Sequence, residues 1–517
     1  MMLTRRTFIA GTAATALAAP AILRAQTMWR TYPFSLGIAS GDPAPDGFVI
    51  WTRLAPEPLE PHGGMPMGNV PVKWEVASDE RFATVVAGGE AQARPELAHA
   101  VHVEVTGLQP DRPYWYRFEQ GGERSLTGRA RTLPAAGANV GALRFGVAGC
   151  QHFEDGLFTA FGHLAREELA FVYHYGDYIY EYRGDMLRPG RGQGGLYVPV
   201  RRHEGQLIYS LDDYRRRYAQ YKSDPDLQRA HAAHPFFMAF DDHEVDNNWA
   251  GDIEQEGAPS EVFRLRRAAA FQAWYEHMPV RRRSFPNGAA LQAYRSARIG
   301  NLVEMNFLDT RQFRTDQPCG DRWGATCQEI RAPNAAMLGA EQEAWLSRNL
   351  QSRDARWNVL AQQVMMMSLD RRRTPDEAPH KVVNLDSWAG YEVPRQRLLS
   401  RFRGLDNVVV LTGDEHQHWA GLLHDERERP VAAEFVSTSI SSGGDGQDQR
   451  SGSDLILSSN PQLKFVNDQR GYLTCDVTPN EWRTNFMVMD RVTTPGGNIS
   501  KRATAVVERG RPDLVIA

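Results

Sequence analysis

At 517 residues the chain is too long for one compact core and should divide into two or more domains. Its 42% hydrophobic and 24% charged residues are those of a soluble globular protein. A formal net charge of −4 is small for this length and argues against a nucleic-acid binder that relies on a basic face.

The first 25 residues do not read as part of the fold. Thr4-Arg5-Arg6-Thr7-Phe8-Ile9-Ala10 carries paired arginines, and an Ala-rich, mildly apolar stretch follows to Leu23. This is the pattern of a twin-arginine signal peptide, with cleavage expected after Ala25. Gly11, Thr12, Thr15 and Pro20 interrupt the stretch, so it makes a poor membrane span. Cleavage would remove Arg5, Arg6 and Arg24 and take the charge from −4 to −7. A soluble mature protein in the periplasm or outside the cell is therefore expected, exported folded by the twin-arginine machinery.

From 26 to 135 the pattern is short strands with Gly/Pro turns and no helical periodicity. Gly47–Arg53, Val70–Ala77, Ala100–Thr106 and Leu108–Phe118 read this way. They predict a small all-β sandwich, fibronectin- or immunoglobulin-like. Ala135–Ala138 reads as a linker.

From 136 to 517 strands alternate with helical segments, which predicts an α/β domain with helices outside. The predicted strands are Leu143–Gly149, Leu169–Tyr175, His234–Phe240, Leu302–Leu308, Trp357–Ala361 and Val408–Thr412. Gly156–Arg166 and Gly339–Leu350 have helical spacing. Gly443–Gly452 is polar and Gly-rich and reads as a mobile surface loop. Cys319 and Cys327 flank a Pro/Gly-containing loop and should pair in an oxidising compartment. Cys475 reads as a small core residue.

The chemistry collects where these strands stop. The apolar run to Phe240 ends abruptly in Asp241-Asp242-His243-Glu244-Val245-Asp246-Asn247-Asn248-Trp249. Strands that end in acids, a His and amides are how an α/β sheet presents a site at its carboxyl edge. Other strands end in Gly149-Cys150-Gln151, Gly176-Asp177-Tyr178-Ile179-Tyr180, Gln362-Gln363 and Gly413-Asp414-Glu415-His416. The donors divide by softness. Cys150 thiolate, Tyr180 phenolate and His416 imidazole suit a transition metal, and a phenolate favours Fe³⁺. Asp242, Asp414 and a glutamine carbonyl suit Ca²⁺, Mg²⁺ or Mn²⁺. Asp177 could bridge two ions, which together would activate a hydroxide and clamp phosphate oxygens. His243 could move a proton.

Gly176-Asp177-x-x-Tyr180, Asp242-His243-Glu244 and Gly413-Asp414-x-His416 resemble the motifs of calcineurin-like metallophosphoesterases, the tyrosine version marking purple acid phosphatases. Asp241–Trp249, Leu308-Asp309-Thr310-Arg311 and Asp386-x-Trp388-x-Gly390-Tyr391 resemble more narrowly the PhoD family of secreted alkaline phosphatases/phosphodiesterases. The resemblance covers essentially the whole chain. It implies a two-sheet α/β catalytic domain, Fe³⁺ with Ca²⁺, and small phosphate mono- and diesters as substrates. By position it implies metal ligands at Cys150, Asp177, Tyr180, Asp242, Asp414 and His416, with Gln362 or its neighbour Gln363 in place of a histidine. His243 takes the place of the superfamily's catalytic histidine. Asn247 and Asn248 would hold phosphate or support the metal shell. Asp309 and Arg311 read as an ion pair at the rim, with Arg311 also a candidate to hold substrate. Asp386, Trp388 and Tyr391 either shape the pocket or pack, and His418 reads as an outer support. Two alternatives stand beside this reading: a strict phosphomonoesterase of purple-acid type, and a non-catalytic metal-stabilised protein that binds glycan or cell wall.

Overall fold

The computed structural model describes residues 29–184, 198–321, 323–351, 354–374, 376–405, 407–511 and 513–517. The twin-arginine segment lies outside the described residues.

Two mixed sheets face each other across one core. The first centres on three parallel strands, Leu143–Ala148, Val172–His174 and Pro235–Met238. The second centres on parallel strands Val303–Phe307, Trp357–Ala361, Val408–Thr412 and Pro430–Val436. Side chains alternate between the faces of a strand, and here both faces are covered. Phe237 points into the core between the sheets, while Phe236 and Met238 pack under helices Leu211–Lys222 and Ser260–His277. Val409 and Leu411 likewise join the inter-sheet core. Val408 and Val410 meet helices Gly339–Gln351 and Glu392–Phe402 on the far side. That double burial is why these strands read as continuous apolar runs, not as alternating ones.

The predicted strands are present, but Leu169–Tyr175 shortens to Val172–His174 and Leu108–Phe118 becomes Pro113–Gln120, and the predicted helix over 156–166 shortens to Thr159–Leu164. The helices at 211–222, 225–233 and 260–277 carry no expectation above. Neither do the antiparallel strands Glu481–Met489 and Ile499–Glu508, which extend the first sheet from Gly471–Val477.

The N-terminal part is all-β, but it is not a separate bead. Its strands Ile38–Ala44, Gly47–Arg53 and Ala100–Val105 continue the first catalytic sheet, Ser40 and Gly41 pairing in parallel with Pro235 and Phe236. Its other sheet, built on Val70–Ala77, Val85–Ala93 and Pro113–Gln120, packs on these strands through Val72, Val76, Tyr116 and Phe118. The linker is also engaged, since Ala138 accepts a hydrogen bond from the Asn301 backbone.

Cys319 and Cys327 form a disulfide, and Cys475 is a buried free thiol. The Gly-rich loop departs from expectation at its near end. Gly443 N–H donates to Asp155, and Asp445 accepts from the Val492 and Thr493 backbone, which ties that half of the loop down.

Candidate metal centre

Glycine precedes a candidate ligand at three strand ends for a steric reason. The Tyr175 ring fills the space between the sheets. A Cβ on Gly149 would lie 2.5 Å from that ring, and one on Gly413 2.0 Å from it. A Cβ on Gly176 would meet the Asp241 backbone nitrogen at 2.5 Å. Only glycine lets the strand ends approach this closely. The residue after each glycine then turns into the left-handed region: φ is 52° at Cys150, 54° at Asp177 and 63° at Asp414. His416 (54°) and Asn248 (49°) share it. Five such residues at one rim are strain held by the surrounding fold, of about 1 kcal/mol or more each.

Glu244 joins two of the loops. Its carboxylate accepts backbone N–H bonds from Asp177, Tyr178 and Asp241 at 2.6–3.1 Å. Donors that burial would leave without water are thereby satisfied, and the Asp177 and Asp242 turns are fixed against each other.

At one end of the centre, ligand atoms of Cys150, Asp177 and His416 lie within 4.8 Å of one another. The Tyr180 hydroxyl joins them, 2.9 Å from Asp177 Oδ2 and 3.2 Å from His416 Nε2. Ser442, for which the sequence held no signal, places its Oγ 2.8 Å from that hydroxyl. At the other end Asp241, Asp242 and Asp414 form a second group, and Asp177, Asp242 and His243 a third. Asp177 and Asp242 thus each belong to two groups. Asp241 was not among the candidate ligands expected there.

The charges do not balance. Four buried or half-buried carboxylates, Asp177, Asp241, Asp242 and Asp414, share Arg311 and His243 as cationic neighbours. Burial, with Asp242 adding to it against His243, pushes Asp177 up to about 6. Burial and the neighbouring Asp242 and Asp177 push Asp241 up to about 8 despite Arg311. Burial and then Asp241 and Asp242 drive Asp414 well above the carboxylate range. Asp177 Oδ1, Asp241 Oδ2 and Asp242 Oδ1 are buried without a hydrogen-bond partner. Carboxylate oxygens without hydrogen-bond donors are costly in a protein interior and fit bound cations.

His243 sits against this group. Its Nδ1 is 2.8 Å from Glu181 Oε2, its Nε2 is 4.0 Å from Asp242 Oδ2, and its ring lies on Tyr180 at 4.2 Å. Burial would lower its pKa, but Asp242 and Glu181 outweigh burial and raise it well above the ordinary value. Glu181, also unforeseen, fixes the ring and its proton, as carboxylates behind functional histidines do. Glu181→Gln is expected to lower kcat by about 10- to 100-fold while the metal content stays unchanged; a rate within twofold of wild type would show that Glu181 only packs.

A cavity of about 350 Å³ opens above the centre, lined by Asp242, His243, Asn247, Asn248, Asp414 and His416 among others. Asn248 N–H donates to Asp242 Oδ2 at 2.8 Å and its side chain donates to Asp321. Asn247 is held by Tyr182 and Gln255.

Arg311 corrects two expectations. It has no exposed surface, and it does not pair with Asp309. Its Nε donates to Asp241 at 2.6 Å and its two Nη groups grip Asp386 at 2.9 and 2.8 Å. It therefore holds acids beneath the site and is not available to substrate. Asp309 instead accepts the Arg311 and Gln312 backbone N–H groups. Of the two glutamines, Gln363 is bonded to Thr310 and Leu308. The Gln362 carbonyl accepts from Trp388 Nε1, and its Nε2 is unpartnered. Trp388 and Tyr391 are core residues, whereas Asp386 reaches the cavity wall. His418 accepts from Thr438 N–H at 3.1 Å, and its other nitrogen faces the Met487 carbonyl.

Against known proteins, the model of the PhoD-like phosphatase family matches residues 145–486. The chain belongs to this family. As a PhoD-like phosphatase it is a phosphoric ester hydrolase, and a model of the family's N-terminal domain matches residues 18–134. It is 49% identical over 490 residues to alkaline phosphatase D of Bacillus subtilis (strain 168), covering 94% of this chain and 82% of that one. A solved structure of PhoD matches with a TM-score of 0.90 and 48% identity over 94% of this chain and 92% of that chain. A purple acid phosphatase from yellow lupin (Lupinus luteus) seeds shares the fold at a TM-score of 0.54 and 12% identity, covering 92% of this chain and 74% of that one. That fold implies a metal cofactor, for which this PhoD-like phosphatase offers the groups described above. No helix among the described residues is long and apolar enough to cross a membrane.

Proposed function

We propose that the protein is exported by the twin-arginine route and hydrolyses phosphate mono- and diesters outside the cytoplasm, with Fe³⁺ and Ca²⁺ as its metals. The observation that carries the metal assignment is the sorting of donors. A thiol, a phenol and an imidazole gather at one end of Asp177, and only carboxylates gather at the other. Soft and anionic donors favour iron; hard oxygens favour calcium, with Mn²⁺ or Mg²⁺ as the substitutes. Cys150, Asp177, Tyr180 and His416 would hold iron. Asp177, Asp242 and Asp414 would hold calcium, and Asp241 lies close enough to Asp242 and Asp414 to add an oxygen. Gln362, expected as a further ligand, would have to share its side-chain oxygen with Trp388. When bound, the pair supplies Lewis acidity toward water and phosphate oxygens.

The chain's own contribution is positional. His243, held by Glu181, stands at the cavity wall to donate a hydrogen bond to phosphate and then a proton to the departing oxygen. Asn247 and Asn248 line the same wall and would contact a phosphate seated there. Diesterase activity is supported by space, because a second cavity adjoins the first. Hydrolysis of bis(p-nitrophenyl) phosphate that EDTA abolishes is the expected result; turnover of the monoester alone would favour a strict phosphomonoesterase.

Iron can be tested without substrate. A phenolate on Fe³⁺ transfers charge to the metal and absorbs visible light, which neither Ca²⁺ nor Zn²⁺ permits. The purified exported protein should be coloured, and Tyr180→Phe should bleach or shift the band and hold iron less firmly. A colourless, fully metallated and active protein would defeat the iron assignment. Colour that survives in Tyr180→Phe and vanishes in Cys150→Ser would make the thiolate the chromophore.

A further inference from the structure

The cavity above the metal centre opens sideways. A neighbouring cavity of about 500 Å³ shares Trp323, Glu415 and Arg450 with it. Glu415 lies between Asp414 and His416 in the chain, so the second cavity begins one residue away from candidate ligands. Four arginines line it, Arg371, Arg372, Arg373 and Arg450, against Glu415 as the one acid in its wall.

Three of these arginines are anchored from behind. Arg371 donates to Glu415 at 2.8 Å and lies over the Trp323 ring at 4.1 Å and the Trp419 ring at 4.8 Å. Arg372 pairs with Asp370 at 2.7 Å, and one Nη of Arg450 pairs with Asp468 at 2.7 Å. Arg373 differs. Its backbone N–H is held by Glu377, but its guanidinium has no hydrogen bond or ion pair among the described residues. Arg373 is thus the wall cation whose head group is left open among the described residues, and Arg450 keeps further N–H donors. Trp419 Nε1, buried in the same wall, also has no acceptor. Trp323 is half exposed at the boundary between the two cavities. Its position is set by the strand Trp323–Ala325, which pairs with Val382–Asn384 beside the Cys319–Cys327 disulfide.

Guanidinium groups with open N–H donors match phosphate oxygens in charge and geometry. We infer that this second cavity is a subsite for a further phosphate, carried on the alcohol portion of the ester that leaves. The inference rests on the phosphoesterase reading of the metal centre. With the reacting phosphate in the first cavity, Arg373 and Arg450 would take the distal one, and the Trp323 ring would cover the carbon chain between them. An ester of this kind gains an anchor that a singly phosphorylated one lacks.

Non-hydrolysable ligands separate this claim from turnover. Propane-1,3-diyl bisphosphonate and propylphosphonate are titrated calorimetrically into the metallated enzyme. The bisphosphonate is expected to bind about tenfold more tightly. Arg373→Ala should remove that advantage and leave propylphosphonate binding where it was, and Arg373→Lys should restore part of it. Equal affinity of the wild-type enzyme for the two ligands would overturn the inference. So would an advantage that persists undiminished in both Arg373→Ala and Arg450→Ala. Release of p-nitrophenol from p-nitrophenyl phosphate reports the metal centre separately, so its absence would strike the phosphoesterase reading and not the subsite.

Discussion

Asp177→Asn and Asp242→Asn are each expected to lower turnover by at least about 10³-fold, because each removes an anionic donor where several kcal/mol of charge stabilisation arise. Neither substitution should unfold the protein. In the metal-free protein Asp177, Asp241, Asp242 and Asp414 crowd one another, and Asp177 and Asp241 are already pushed up to about 6 and 8, burial being the first cause. At Asp177 an amide is nearly the same size and carries no charge, so it relieves that repulsion. Asp242 differs, because burial is outweighed there by His243 and Arg311, which hold its carboxyl below the ordinary carboxylate range, so the fold gains from its charge. With EDTA present, Asp177→Asn should therefore melt at or above the wild-type temperature and Asp242→Asn below it. With metals restored Asp177→Asn should fall below the wild type, since the wild type gains more from binding. An Asp177→Asn variant that melts lower than wild type in EDTA would mean that this carboxylate holds the fold and not a metal.

His243→Ala should keep both metals and slow the reaction by about 10²- to 10⁴-fold, the usual share of a proton-transfer group. The loss should depend on the leaving group. A nitrophenolate departs without a proton, so the defect should be small for p-nitrophenyl esters and large for alkyl esters. Glu181 does not itself line the cavity, and it acts through the ring it binds at 2.8 Å. Removing both side chains together should therefore cost little more than removing His243 alone. An equal defect on nitrophenyl and alkyl esters would assign His243 to phosphate binding, and a normal rate on both would remove it from the mechanism.

Much of this candidate site could be read from the chain because its candidate ligands sit directly after strands. Cys150, Asp177, Asp242 and Asp414 each follow an apolar run, and local pattern is what sequence conveys. The supporting residues are different. Glu181 meets His243 across 62 positions, Arg311 meets Asp241 across 70 and Asp386 across 75, and Ser442 meets Tyr180 across 262. Nothing in their neighbours announces those partners. Arg311 illustrates the risk: an arginine after a strand near acids suggests a substrate clamp, yet its burial leaves it holding acids together. The helices at 211–222 and 260–277 were missed for a related reason. They bury several polar or charged side chains, including Arg217, Arg266 and Glu276, so their apolar stripe is diluted.

The strand Ile38–Ala44 limits where the chain can be cut. It lies against Pro235–Met238, the strand that leads into Asp241 and Asp242. Excising the N-terminal module at 135 would strip that neighbour away and leave a short, wholly apolar edge with unmatched N–H and C=O groups. Such an edge recruits other chains into intermolecular β-pairing. The catalytic part expressed alone is therefore expected to aggregate. The N-terminal strands act as its built-in edge guard, and the Asp241–Asn248 turn inherits its rigidity from a partner almost two hundred residues earlier in the sequence.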